Sequence, residues 1–512
     1  MLKGFINKNI AWLSGLASIF IISNIQANDM PVKQVSSIAD KTAQYAVNTY
    51  QHAMVESLRK LVMHNTVAVE GVSALDNPAH IAFKKELKSQ ASALGLDYQD
   101  QGYVVIISLG ESDERVGVIT HGDVQPVNPS KWKKSPFTLD LTSEPGLLIG
   151  RGTEDDKGPI STALYAMKAI KDQNIPLNKR IELYVYMAEE SDWEPLKAYI
   201  KNHTLPKVNI TIDAEYPVVT AEKGYGTIKM TFPDNDKINQ SVPYLSTFSG
   251  GFFGSQIPED AQTSIENASP ELLAKLQTKA LTHHGMQYSY ELKNKQLTIT
   301  ALGKSAHSSK PNDGINAITH LADLLSDIAW PNNTSGALVN FINECLGTGL
   351  YGKKFGDIAY QDDFMGAMTV APTVLKQLDS GIELSINLRR PRGKTKEQLE
   401  SQINDVLTTW QQKNQITLLN LDNYIGEPFV QTSAPQIDTL LSVFSHYTGI
   451  KNAQPIAIGG GTNSRLFPNA VSFGPSMPNT EYTGHSEHEF ISMKQFLLNL
   501  KMYTAVMIEL AK

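Results

Sequence analysis

Cysteine is all but missing from this chain. Its 512 residues hold one, Cys345, which excludes an intramolecular disulfide, a thiolate zinc finger and a CxxC redox pair together. Any metal ion must therefore be held by His, Asp and Glu. Basic excess is missing too: 45 Lys plus Arg stand against 52 Asp plus Glu, a net charge of −7, so there is no basic footprint for nucleic acid. Small molecules are the expected partners. The apolar stretch Ile10 to Ile22 is shorter than the ~20 residues of a membrane-spanning helix. There is no low-complexity tract and no internal repeat of about 20 to 50 residues. With 41% hydrophobic and 19% charged residues over this length, the composition excludes a disordered or multi-spanning chain and predicts at least two globular domains.

What is present begins with a contrast. Lys3 and Lys8, the run Ile10 to Ile22 and Ile25-Gln26-Ala27 before Asn28-Asp29 have the layout of a cleavable secretory signal over residues 1–27. No cysteine follows the run to carry a lipid anchor. The expected location is therefore periplasmic, after export across the inner membrane. Helical periodicity then covers 36–62 and, after Pro78, 81–94. Short β-branched runs at 104–109, 116–120 and 181–187, with a helical segment at 160–170, predict an α/β fold with a mostly parallel central sheet covered on both sides. Residues 222–384 read differently, with Pro, Gly and Asn clusters and short alternating strands such as 296–301. They are expected to form an inserted α+β lid. Helices return at 398–410, 437–447 and 493–510, so the first domain is discontinuous, 28–221 with 385–512.

Five segments set acids or imidazoles directly after apolar runs: His121-Gly122-Asp123, Gly150 to Gly158 with Glu154-Asp155-Asp156, Glu189-Glu190, Asp213-Ala214-Glu215, and His485 to Glu489. In open α/β sheets the carboxyl ends of strands border the ligand crevice. A His and carboxylate set without thiolates suits zinc, and a carboxylate able to bridge suits two ions. Each segment alone is weak, since His-Gly-Asp also makes a surface turn. Adjacent Glu189 and Glu190 behind the run Leu183 to Met187 are harder to dismiss, because two such carboxylates repel unless a cation or proton separates them.

Together these segments resemble the di-zinc metallopeptidases related to aminoacylase, carboxypeptidase G and carnosinase. Asp213-Ala214-Glu215-Tyr216-Pro217, Glu222-Lys223-Gly224 and Gly459-Gly460-Gly461-Thr462 are most similar to the PepV-type bacterial dipeptidases, and the likeness spans about residues 40–511. The resemblance implies a metallo-dipeptidase with two Zn2+ per chain: His121 and Asp213 on one, Glu190 and His485 on the other, Asp155 bridging. It implies Glu189 as general base, Asp123 hydrogen-bonded to His121, and a cis peptide after Asp155. It further implies His307 over the metals and Arg389 on the substrate carboxylate, with Asn387 of the same strand in the substrate site. The glycine run 459–462 is by itself a loop signal, but its geometry can set backbone donors of Gly460 and Gly461 against a carboxylate. Arg390 and Arg392 are expected to be solvated neighbours. One position departs from the pattern: His488 stands where relatives carry Asn, a neighbour able to compete for the ion. The long insert implies a functional monomer, with a dimer as the alternative. Two rival readings share the outline, an N-acyl amino acid deacylase of the same family and a non-catalytic periplasmic solute-binding protein.

Overall fold

The computed structural model describes residues 34–235 and 241–512; the expected signal segment, 1–27, lies outside them. Among the described residues no helix is long and apolar enough to cross a membrane.

The first layer is built on a nine-stranded sheet. At its centre Arg115–His121 runs parallel to both Arg180–Tyr186 and Val208–Thr211, and Val471–Ser472 continues parallel beyond. Antiparallel pairs flank this centre, Val104–Leu109 on one side and Phe429–Val430 on the other, so the sheet is mixed around a parallel middle. Alternation along the strands assigns the two faces. Val116, Val118, Ile181, Leu183 and Val185 enter the main core with the long helices, whereas Ile119, Tyr184 and Tyr186 pack with Leu196 and Phe467 on the opposite face.

Capping chemistry explains where the helices begin. Ser36 caps Ser37–Val62, and Asn77 caps Pro78–Leu94, with Pro in the first turn and Gly95 ending it at φ 70°. The closing helix Met493–Ala511 is buried along most of its length against Ser37–Val62 and Lys157–Asp172. The two ends of the described chain therefore lie side by side.

The second layer is an eight-stranded antiparallel sheet: Gln287–Lys293, Gln296–Leu302, Asp260–Glu266, Tyr244–Gly250, Thr369–Leu378, Gly381–Arg390, Gly224–Pro233 and Leu419–Ile425 in spatial order. The irregular text of 222–384 thus contains regular strands, and residue 384 falls inside one of them. Leu399, Ile403, Leu407 and Trp410 of the helix Lys396–Asn414 belong to this second core, so the layer continues to Ile425.

Candidate active site

Three neighbouring parallel strands end at one place. His121 closes the first, Glu189 and Glu190 follow the second after Met187 and Ala188, and Asp213 follows the third. Asp155 stands just ahead of the helix Lys157–Asp172, and the Asp155–Asp156 peptide is cis. Gly158 allows that turn, because a Cβ there would lie 2.0 Å from the Thr153 carbonyl oxygen. His485 is delivered by the far end of the chain, where Phe490–Ser492 pairs with Leu147–Ile149.

Glu489 joins these two loops. One carboxylate oxygen accepts from the backbone N–H of Glu154 and Asp155 at 2.9 and 3.0 Å, the other from Gly152 N–H at 3.0 Å and Arg151 Nη1 at 2.8 Å. Glu154 answers in the opposite direction, accepting from Thr483 N–H, Thr483 Oγ1 and Ser476 Oγ. Buried and hydrogen-bonded on both sides, the pair fixes Asp155 relative to His485.

The donors fall into two groups that share Asp155: His121, Asp155 and Asp213, and Asp155, Glu190 and His485, with ligand atoms of each group within 4.8 Å of one another. His121 Nε2 lies 2.8 Å from Asp155 Oδ1 and 3.7 Å from Asp213 Oδ2; His485 Nε2 lies 2.9 Å from Glu190 Oε1 and 3.2 Å from Asp155 Oδ2. This cluster attracts positive charge. Burial opposes protonation of His121, yet Asp213, Asp123 and Asp155 outweigh it and hold the imidazole well above its ordinary value. Burial, with Asp155 and Glu190 close by, pushes Asp213 up to about 7. Glu189 is driven well above the carboxylate range by burial and by Asp213, and its Oε1 is buried without a hydrogen-bond partner. Nitrogen and oxygen donors with surplus buried carboxylate fit divalent cations.

Other expected residues take more particular places. His121 Nδ1 meets the backbone carbonyl of Asp123 at 3.0 Å, while the Asp123 carboxylate stands 3.6 Å away. Its oxygens instead accept the N–H groups of Glu189 and Glu190, both at 3.0 Å. Asp123 thus aims the acidic pair, and a backbone group orients the imidazole. His307, on a short strand pairing with Gln256–Ile257, sits 4.4 Å from the His485 ring, centroid to centroid. Burial holds its pKa well below the usual imidazole value, and Ser309 N–H donates to its Nδ1, so the neutral ring carries its proton on Nε2.

Arg389 is a buried cation whose side-chain partners are neutral: Nε donates to Asn387 Oδ1 at 3.1 Å, Nη2 to Ser308 Oγ at 2.8 Å, and Tyr225 lies under the guanidinium at 5.0 Å. Burial, with Arg465 nearby, lowers its pKa to about 10. Asn387 is 2% exposed and stands behind Arg389, donating to the Gly254 carbonyl. Arg390 is not solvated: it is 5% exposed, bonded to Glu427 and to the carbonyls of Lys394 and Gly426. Arg392 does reach the surface, beside Asp362. His488 is exposed near Glu144 and belongs to neither donor group.

A cavity of ≈ 590 Å³ is lined by Glu189, Glu190, His307, His485 and Arg389 together; Gly461 also borders it. A smaller one of ≈ 80 Å³ adjoins the same acids and includes Gly460 and Gly461.

The sequence pattern of the peptidase family M20/M25/M40 matches residues 117–509. The chain belongs to this family. The Beta-Ala-Xaa dipeptidase of Lactobacillus delbrueckii subsp. lactis is 30% identical over 411 residues, 80% of this M20 chain and 85% of that protein. The fold of human carnosine dipeptidase 1 matches at a TM-score of 0.55 with 15% identity, covering 93% of this chain and 99% of that one. The di-peptidase Dug1p of Saccharomyces cerevisiae matches at 0.56 with 14% identity, covering 92% and 98%. Sequence reasoning missed Tyr482, Gln256 and Ser255. Tyr482 Oη donates to Asp155, Gln256 Nε2 donates to the His485 carbonyl, and Ser255 Oγ lies 3.1 Å from His485 Nδ1. An uncharged residue between motifs carries no signal until the fold places it.

Proposed function

We propose that this M20 peptidase hydrolyses the peptide bond of unblocked dipeptides, with two zinc ions held by His121, Asp155, Asp213, Glu190 and His485. The observation that carries the reading is charge of both signs lining one cavity: surplus carboxylate, including Glu189 with its unpartnered Oε1, and a buried guanidinium whose partners are neutral. An uncompensated buried cation is costly. A substrate carboxylate would balance Arg389 and is matched by the planar fork of a guanidinium.

Two divalent cations at these donors supply Lewis acidity toward a carbonyl oxygen and toward water. Arg389, supported from behind by Asn387, fixes the terminal carboxylate and so sets the scissile bond near the acids. Glu189, aimed by Asp123, takes a proton from the attacking water and returns it to the leaving amine. The Nε2–H of His307 donates to the oxygen on which negative charge develops. His307 reaches this cavity from the lid of its own chain, which supports a functional monomer. We also propose export to the periplasm, on the layout of residues 1–27; fractionation of cells expressing the full chain tests it. The activity is tested by metal analysis of purified protein with hydrolysis of a free dipeptide beside its N-acetyl and amide forms. Zinc-dependent cleavage of the free dipeptide alone is expected; preference for the N-acetyl form would make the protein a deacylase.

A further inference from the structure

Among the described residues, Asp155 is shared by both donor groups, and its two oxygens have different neighbours. Oδ1 faces His121. Oδ2 faces His485 at 3.2 Å and accepts from Tyr482 Oη at 2.8 Å. Among the described residues, Tyr482 is the one side chain outside the candidate ligands that bonds this carboxylate. A carboxylate serving two ions must keep its plane, and one fixed neutral donor resists rotation about its Cβ–Cγ bond.

The placement of the phenol is built by its surroundings. A Cβ on Gly484 would lie 2.3 Å from Tyr482 Oη and 2.4 Å from its Cζ, so glycine there admits the phenol over Asp155. Thr483, between the two, is held by Glu154 through N–H at 2.7 Å and Oγ1 at 2.8 Å. The ring meets His307 edge to face at 5.9 Å, and Lys310 Nζ stands 5.4 Å from its centroid. Lys310 is itself tied to Glu215 at 2.7 Å.

We propose that Tyr482 is a positioning residue: its phenol orients Asp155 and thereby sets how tightly both cations are held. The proposal rests on the metal-centred reading above. Groups that hydrogen-bond a metal ligand from outside are worth about 10- to 100-fold in metal affinity. The probe is zinc alone, titrated into metal-free protein against a competing chelator, for wild type and Tyr482→Phe. Both zinc affinities are expected to fall about 10- to 100-fold, while the melting temperature of the metal-free protein stays unchanged. A merely structural tyrosine would lower that melting temperature and leave zinc affinity alone. Unchanged affinity in Tyr482→Phe beside a zinc-binding wild type overturns the role of Tyr482 and spares the metal reading. A wild type that binds no zinc overturns both.

Discussion

At the scale of residues, Glu189 and Glu190 are neighbours in sequence with different surroundings. Glu190 is engaged with His485 and Gln125, whereas Glu189 keeps a buried oxygen without a partner. Glu189→Gln is therefore expected to retain both metals by elemental analysis and to lose turnover by about 100-fold or more, since the amide keeps the shape and cannot take a proton. Near-normal kcat in a fully loaded variant would remove Glu189 from the reaction. Arg389→Lys replaces a fork by a point charge and should raise KM for dipeptides about 10-fold, one lost charged hydrogen bond in magnitude. Equal cleavage of a dipeptide and its amide by the wild type would deny Arg389 this task. The ionisable residues were legible because their types and order carry chemistry. The bond from Asp123 to the N–H groups of Glu189 and Glu190 was not, because a backbone partner leaves no mark in a side-chain pattern.

At the scale of elements, periodicity and caps made most helices readable. The prediction over 36–62 meets an observed helix Ser37–Val62, and that over 437–447 meets Ile437–Thr448. The second layer was harder. Its strands alternate at a partly exposed sheet, and their partners are far away in sequence: Gly224–Pro233 pairs with Leu419–Ile425, so no local window shows the pairing. Loops feeding the site have their own devices. Asp140 caps the turn before Leu147–Ile149, accepting from Thr142 N–H, Ser143 N–H and Lys134 Nζ. Burial alone would raise the Asp140 carboxyl, but Lys134 and these turn donors outweigh it and hold it well below the usual range. A lowered folded pKa adds stability that is complete above the unfolded value of about 3.9 and is lost as pH falls below it. Asp140→Asn should therefore lower stability at pH 7 and flatten the decline below about pH 4. Parallel wild-type and variant acid curves in denaturant titrations would contradict this.

At the scale of the whole molecule, the lid touches the first layer both at the site and away from it. Gln256 and Ser255 reach His485, Lys310 pairs with Glu215, and Lys131 pairs with Glu259 at 2.5 Å. His307 thus shares a cavity wall with Glu189 of the same chain. Mixing inactive Glu189→Gln chains with inactive His307→Ala chains should restore no activity; recovery, with a dimeric mass in solution, would mean that subunits exchange this histidine. The strap from Glu489 to the backbone of Glu154 and Asp155 spans 335 and 334 residues. It also sets a schedule for the living cell. While the ribosome is still working, the emerging chain has His121, Asp155, Glu190 and Asp213 but neither His485 nor the carboxylate that ties Asp155 down. A nascent or prematurely stopped chain ending before residue 485 carries four of the five proposed ligands and no complete site, so on the proposed ligand set full metal capture waits until synthesis is nearly finished.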